Sequence, residues 1–259
     1  YHSQNLLQCL FRNPHLIGCT GLPRGLSISA TLSELYMRNF DKWVRRIKGV
    51  YYYARFVDDI IIFSNSPIVI NDLNRNINKN LEKGLHQKIT KTGIYRGDNI
   101  KKIKPLEYLG YQFTTDTTKN KKTLIISIAN KKIKKIKSRI TLSFLDFIKN
   151  KDFVLLENRI KFITGNFSVR KNIEGHDLKA GIYYNYSHIT DFKIFDKLNL
   201  YLRKTLYSKS CNFGSNLSSI IDNTQRQTLA NYSFKHGFFK KVFCIFTFEQ
   251  MNKIKNCWR

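Results

Sequence analysis

The chain has 259 residues, enough for one large domain or two smaller ones with a real core. Its 42% hydrophobic and 14% aromatic content excludes a disordered polymer, and a net charge of +27 exceeds what solubility needs and points to a polyanionic partner, nucleic acid ahead of an anionic membrane. No apolar run approaches the roughly eighteen residues of a membrane span, no signal-peptide pattern is present, and five scattered cysteines (Cys9, Cys19, Cys211, Cys244, Cys257) form neither a disulfide framework nor a zinc site, which suits a reducing cytoplasm.

The sequence opens at Tyr1 on a helical pattern, Ser3 to Phe11. A glycine-punctuated loop follows, Gly18 to Ser29, after which Ser27 or Ser29 is placed to cap a helix. Leu32, Leu35, Tyr36, Phe40, Trp43, Val44 and Ile47 recur at helical spacing, so that segment is expected to pack one face on a core. The stretch Gly49 to Ser66 then gives two strand-like runs, Tyr51 to Phe56 and Ile60 to Phe63, around Val57-Asp58-Asp59. It reads as a β-hairpin with two carboxylates at its tip. Adjacent carboxylates in so apolar a context are either a solvated turn or the ligands of a cation, since a buried unpaired charge costs several kcal/mol. Mg²⁺ suits them, because it takes oxygen ligands and binds one or two carboxylates plus substrate phosphates.

Ser66-Pro67 starts the next helix, with Ile70, Leu73, Ile77 and Leu81 as its apolar stripe. Leu85 to Gly93 reads as a short strand, and Pro105 to Phe113 alternates like another. From Thr117 to Arg139 there are nine Lys or Arg and no Asp or Glu. In its helical part Ile133, Ile136, Ile140, Phe144 and Phe147 anchor one side while Lys131, Lys132, Lys134, Lys135, Lys137 and Arg139 face outward, an arrangement that tracks a phosphate backbone without reading sequence. Beyond it, Leu155 to Ile163, Phe192 to Leu206 and Gln225 to Ile254 are expected to be helical. Val169-Arg170-Lys171 and Lys240-Lys241 are read as solvated faces and Phe243, Phe246 and Phe248 as core.

Three of these pieces resemble, in order, the palm of reverse transcriptases: Leu22-Pro23-Arg24-Gly25 before a helix, Phe56-Val57-Asp58-Asp59 at a hairpin tip, and Leu109-Gly110-Tyr111. The resemblance implies an α+β right-hand polymerase: an antiparallel palm with helices over 1–115, a basic thumb segment over 116–150 and a helical region over 151–259. It implies RNA-directed DNA synthesis, with deoxynucleotides added to a 3′-hydroxyl by two-metal phosphoryl transfer on Mg²⁺ ions held by Asp58 and Asp59. Pro23, Arg24, Gly25 and Ser27 would support template and nucleotide, Lys91 would protonate the leaving pyrophosphate, and Leu109, Gly110 and Tyr111 would form the primer grip. Lys131, Lys132, Lys134, Lys135 and Arg139 would hold the nucleic-acid backbone. In so basic a chain Lys91 reads more readily as a surface lysine, and Tyr108 to Tyr111 could be a core strand, though its position after the preceding motifs favours the grip.

The sequence departs from the family's pattern at two places. Arg24 stands where glutamine is usual, and Ser27-Ile28 or Ser29-Ala30 where Ser-Pro is usual, which is similar to the bacterial defence-associated, abortive-infection class. The family's first catalytic aspartate, on a strand before the Leu-Pro-x-Gly loop, is absent from the sequence; Asp41 follows the loop on another element. The expectation is therefore a C-terminal portion of a cytoplasmic enzyme, inactive alone. The expected partners are an RNA template, a DNA primer or product, deoxynucleoside triphosphates, and a non-coding RNA or second subunit, with no membrane. Two alternatives stand beside it: a retron or group II intron enzyme, and a catalytically silent nucleic-acid-binding subunit.

Overall fold

In the computed structural model the described residues are 2–13, 21, 26–95, 105–118, 121–171 and 177–258. They divide into two units, Tyr1–Ile94 and Tyr95–Arg259.

In the first unit α1 (His2–Phe11), α2 (Ser27–Tyr36) and α3 (Arg38–Arg46) precede an antiparallel hairpin, β1 (Val50–Phe56) with β2 (Asp59–Ser64), and α4 (Pro67–Asn80) follows it. The apolar run 32–47 is not one helix: Met37, with φ −85° and ψ 0°, separates α2 from α3. The buried stripe accordingly comes from α3, where Phe40 and Val44 meet Met37 and Leu73 of α4, while Leu35 and Tyr36, expected to face the core, are exposed. Strand alternation places Tyr53, Ile60 and Ile62 against this cluster. Tyr52 and Phe63 stack on each other with their centroids 5.3 Å apart and remain exposed, so one hairpin face is covered. Leu26, not a serine, occupies the N-cap of α2, and Ser29 N donates to Leu26 O at 3.1 Å, so Ser27 and Ser29 fall inside the first turn.

The segment expected as a strand over 85–93 is a turn. Lys91 N and Thr92 N both donate to Lys88 O, at 2.9 and 3.0 Å, and the Thr92 hydroxyl adds a third bond to the same carbonyl. These local bonds satisfy backbone that a lone strand would leave open, and the segment has little to bury, since Leu85 and Ile89 are exposed.

The second unit starts with the antiparallel sheet β3 (Leu106–Tyr108), β4 (Tyr111–Thr118) and β5 (Lys121–Ile128). Helices α5 (Asn130–Asn150) and α6 (Phe153–Thr164) form an antiparallel pair around a left-handed Lys151 (φ 56°), with Asp152 capping α6 through Leu155 N at 2.9 Å. Ile140, Phe144 and Phe147 of α5 share one core with Leu156 and Ile160 of α6 and with Phe195, Leu198, Leu202 and Leu206 of α8 (Lys193–Leu206). Residue 150 therefore ends a helix without dividing a domain.

The region after residue 150 is not purely helical. Strands β6 (Asn166–Lys171), β7 (Asp177–Gly181) and β8 (Phe243–Cys244) form a sheet of order β7-β6-β8 in which β6 and β8 run parallel. Between β7 and β8 lie α7 (Ile182–Tyr186), α8, α9 (Cys211–Ile220), α10 (Asn223–Ala230) and α11 (Phe234–Phe239), and α12 (Phe248–Asn256) follows. The fully buried Asn166 closes the sheet, donating to Gly237 O and Val242 O, each at 3.0 Å, and accepting from Tyr183 N at 2.9 Å. A Cβ on Gly237 would collide with Thr164 O, which fixes glycine at that close approach. Phe246 packs with Phe162, but Phe243 and Phe248, expected as core, are exposed. Among the described residues no helix is long and apolar enough to cross a membrane.

Candidate active site

Register pairs Phe56 with Asp59, leaving Val57 and Asp58 as a two-residue turn. Val57 has φ 57°, the left-handed region that a first turn residue enters in a II′ hairpin, where glycine is usual. A β-branched side chain there costs about 1–3 kcal/mol and persists only where its surroundings enforce it. The enforcement is visible in Arg55. Alternation places Arg55 on the same strand face as Tyr53, toward α3, and its side chain is only 3% exposed. Its five N–H groups make five hydrogen bonds. Nε and Nη2 grip Asp41 at 2.8 Å each, Nη1 and Nη2 grip Glu34 at 3.0 and 2.7 Å, and Nη1 also donates to Val57 O at 3.1 Å. Tyr53 completes the node by donating its hydroxyl to Asp41 Oδ1 at 2.5 Å.

The electrostatics follow from this packing. Burial acts against the Asp41 carboxylate, but Arg55, Tyr53 and Arg45 outweigh it and hold its pKa below the usual range. Tyr53 is pushed well above the usual phenol value by burial and then by Asp41. Glu34 and Asp41 are thus committed to Arg55, whereas Asp58 and Asp59 are exposed and form no ion pair among the described residues. Two free adjacent carboxylates fit a hard divalent cation whose remaining ligands are water and substrate phosphate. No group of three or more His, Cys, Asp or Glu able to hold a metal occurs among the described residues.

Residues 4–113 match the family model for reverse transcriptase (RNA-dependent DNA polymerase). Over that stretch the chain is similar to reverse transcriptases. No curated protein and no solved structure matches the chain. The reverse transcriptase match takes in Glu34, Asp41, Arg55, the Asp58–Asp59 tip, Lys91 and the Leu109–Tyr111 turn, and it ends before α5.

Of the other residues expected from the resemblance to reverse transcriptases, Leu22, Pro23, Arg24 and Gly25 lie outside the described residues, as does the Ser27 side chain. Lys91 is exposed on the 88–92 turn. That segment is moored to α4, because Gln87 bonds Asn78 Oδ1 at 2.8 Å and Asn74 Oδ1 at 2.7 Å. In the second unit Leu109 (φ 49°) and Gly110 (φ 87°) form a two-residue turn between β3 and β4 with the positive φ angles of type I′. Gly110 O accepts from Ala129 N at 3.0 Å, and a Cβ on Gly110 would lie 3.1 Å from Lys132 Cε, so this turn sits against the start of α5. Tyr111 is anchored inward: its hydroxyl donates to Asn185 O at 3.1 Å and its ring meets Tyr186 edge-on.

Lys131, Lys132, Lys134 and Lys135 are exposed along α5. Lys137 leans over Tyr201, with Nζ 5.0 Å from the ring centroid. Arg139 departs from the expected outward face. Its guanidinium lies over Trp258 at 5.0 Å, its Nε is buried without a partner among the described residues, and burial lowers its pKa. The indole explains the turn inward, since Trp258 Nε1 donates to Arg139 O and Ser143 Oγ, each at 3.1 Å, and so holds an aromatic face under the guanidinium.

Sequence reasoning missed Arg55 and Glu34. One signal was present: alternation from Tyr53 puts Arg55 on the covered face, whereas Glu34 and Asp41 lie on separate helices, so their spacing alone does not bring them together.

Proposed function

We propose that the chain is the palm-bearing part of an RNA-directed DNA polymerase that adds deoxynucleotides to a 3′-hydroxyl on an RNA template. The observation that carries this reading is the pair of uncommitted carboxylates, Asp58 and Asp59, on an enforced hairpin turn inside the stretch similar to reverse transcriptases. Asp58 and Asp59 hold the Mg²⁺ ions. When bound, Mg²⁺ neutralises the triphosphate and acidifies the attacking hydroxyl. Lys91 Nζ gives its proton to the leaving pyrophosphate, and Pro23, Arg24, Gly25 and Ser27 support the template base and nucleotide. Leu109 and Gly110 press the primer backbone beside Lys132, with the half-buried Tyr111 as their anchor. The exposed lysines of α5 carry the duplex by phosphate contacts that do not read sequence.

Arg24 and Ser27-Ile28, where the family usually has glutamine and Ser-Pro, favour the bacterial defence-associated class, working in the cytoplasm and engaging a non-coding RNA or a second subunit. Labelled deoxynucleotide incorporation by the intact protein with Mg²⁺, with and without added RNA template and primer, tests the reading. Asp58→Asn with Asp59→Asn is expected to lower incorporation by several orders of magnitude while the protein stays folded. Undiminished synthesis removes the metal assignment. Synthesis that requires an added template favours a retron or intron type, and a wild-type protein that binds duplex but never synthesises is a silent subunit.

A further inference from the structure

Arg55 is not accounted for by metal binding or by nucleic-acid contact. It lies in a strand, is nearly solvent-free, and spends every N–H it has on three separate elements. Two of those elements supply charge: Glu34 from α2 and Asp41 from α3, each gripped by two nitrogens. The third recipient is a neutral carbonyl, that of Val57, the residue with left-handed φ directly before Asp58. A carboxylate fork fixes the plane of a guanidinium, and with both forks filled the remaining Nη1 hydrogen has one direction left, toward Val57 O. The tip is therefore held from inside the fold, while its carboxylates stay outside it.

We propose that Arg55 is a positioning residue for the Asp58–Asp59 tip: Glu34 and Asp41 orient the guanidinium, and the guanidinium holds the Val57 carbonyl and with it the turn that presents both carboxylates. The same node keeps the acids apart by role. Glu34 and Asp41 have their carboxylate oxygens occupied by Arg55, and Asp58 and Asp59 are left free for a cation. This inference rests on the metal-holding reading of the tip given above.

Lysine is the informative replacement, because it keeps the charge but offers one nitrogen, which cannot fill two forks and a carbonyl. In the intact protein, Mn²⁺ binding followed by electron paramagnetic resonance is expected to weaken about tenfold in Arg55→Lys, the usual size of losing a group that orients metal ligands. The Mg²⁺ concentration giving half-maximal incorporation should rise in parallel. Glu34→Gln is the second variant. The Glu34 side chain is 62% exposed, so its change spares the fold, while the fork that aims Nη1 loses its charge; a smaller weakening of Mn²⁺ binding is expected. A purely structural arginine gives a lower melting temperature with unchanged Mn²⁺ affinity in both variants, and that result overturns the proposal. If Arg55→Lys does not fold, Glu34→Gln decides it alone. Asp58→Asn with Asp59→Asn, measured alongside, separates the two ideas. Wild-type Mn²⁺ binding in that double variant sinks the metal reading together with the role of Arg55. Abolished binding there, with binding intact in Arg55→Lys and Glu34→Gln, sinks the role of Arg55 only.

Discussion

Each of the two units buries an arginine that donates to backbone carbonyls, and the two put that device to different use. In the first unit Arg55 reaches the carbonyl of a strained turn whose next two residues are free acids. In the second, Arg159, 2% exposed, pairs with Asp146 at 2.6 Å and donates to Ile254 O and Lys253 O, so it closes the end of α12 against α6. The surroundings differ as well. Nineteen buried hydrophobic residues form the main core cluster of the second unit among the described residues, against four in the first. The first unit thus depends on its polar node for local order, whereas the second has packing to spare. A buried cation between acids is weak evidence for stability in itself, and the contrast shows what else it supplies: a fixed direction for one remaining hydrogen bond.

The largest test of this contrast is Arg159→Ala. Removing one partner of a buried pair and opening its volume should cost the second unit about 3–5 kcal/mol. The two tryptophans allow the units to be watched separately, because Trp43 packs in the first and Trp258 in the second. In a Trp43→Phe background, denaturant unfolding followed by Trp258 fluorescence should show the drop, and Mn²⁺ binding at the tip should not change. A tip that loosens with Arg159→Ala would mean that the two arginines are not separate devices.

Asp41→Asn is the matching test in the first unit. Glu34 still faces Arg55 in that variant, so the cost should sit near the lower end, about 3 kcal/mol, read through Trp43 in a Trp258→Phe background. Acid adds a signature. The Asp41 carboxyl is held below its ordinary value of about 3.9, so its contribution is complete above that pH and disappears as pH falls toward the lowered value. Wild type should lose first-unit stability in that window, and Asp41→Asn should show a flatter limb. Glu157, lowered by Tyr232 and Lys161 against the opposing effect of burial, gives the second unit an acid limb of the same sign, which Asp41→Asn leaves untouched.

What the sequence made legible was local. The hairpin, its acidic tip, the amphipathic α4 and α5 and the mixed helix and sheet class follow from periodicity and turn residues, and the reverse transcriptase resemblance follows from the order of three short motifs. What stayed hidden depends on partners far along the chain. The β7-β6-β8 sheet hangs on Asn166 meeting Gly237 and Val242 across more than seventy residues, and no window of local pattern contains that meeting. The inward turn of Arg139 needs Trp258, and the exposure of Phe243 follows from a strand of two residues that covers little, while Phe248 opens α12 on its exposed side. Arg55 lies between these cases: its face is readable from alternation, but its acids are recognised only once α2 and α3 lie over the strand.

The smallest expected effect concerns the other charged surface, the lysine ridge of α5, and it turns on which cations are free. Lys132 and Lys135 are exposed one helical turn apart, and Lys132 lies against the Gly110 turn, so a phosphate backbone passing the turn meets both. Each phosphate that a lysine neutralises releases counterions, and the slope of log affinity against log salt falls by about 1 for each phosphate left without its lysine. Lys132→Glu with Lys135→Glu should therefore flatten the slope for a primer-template duplex by about 2 and weaken binding most at low salt. Arg139→Gln carries the opposite expectation, because its guanidinium is stacked on Trp258 with Nε buried: the salt slope should hold even if the melt through Trp258 shifts. Equal flattening in both would mean that Arg139 leaves the indole to reach the phosphates, and the ridge would then extend a full turn beyond the four exposed lysines.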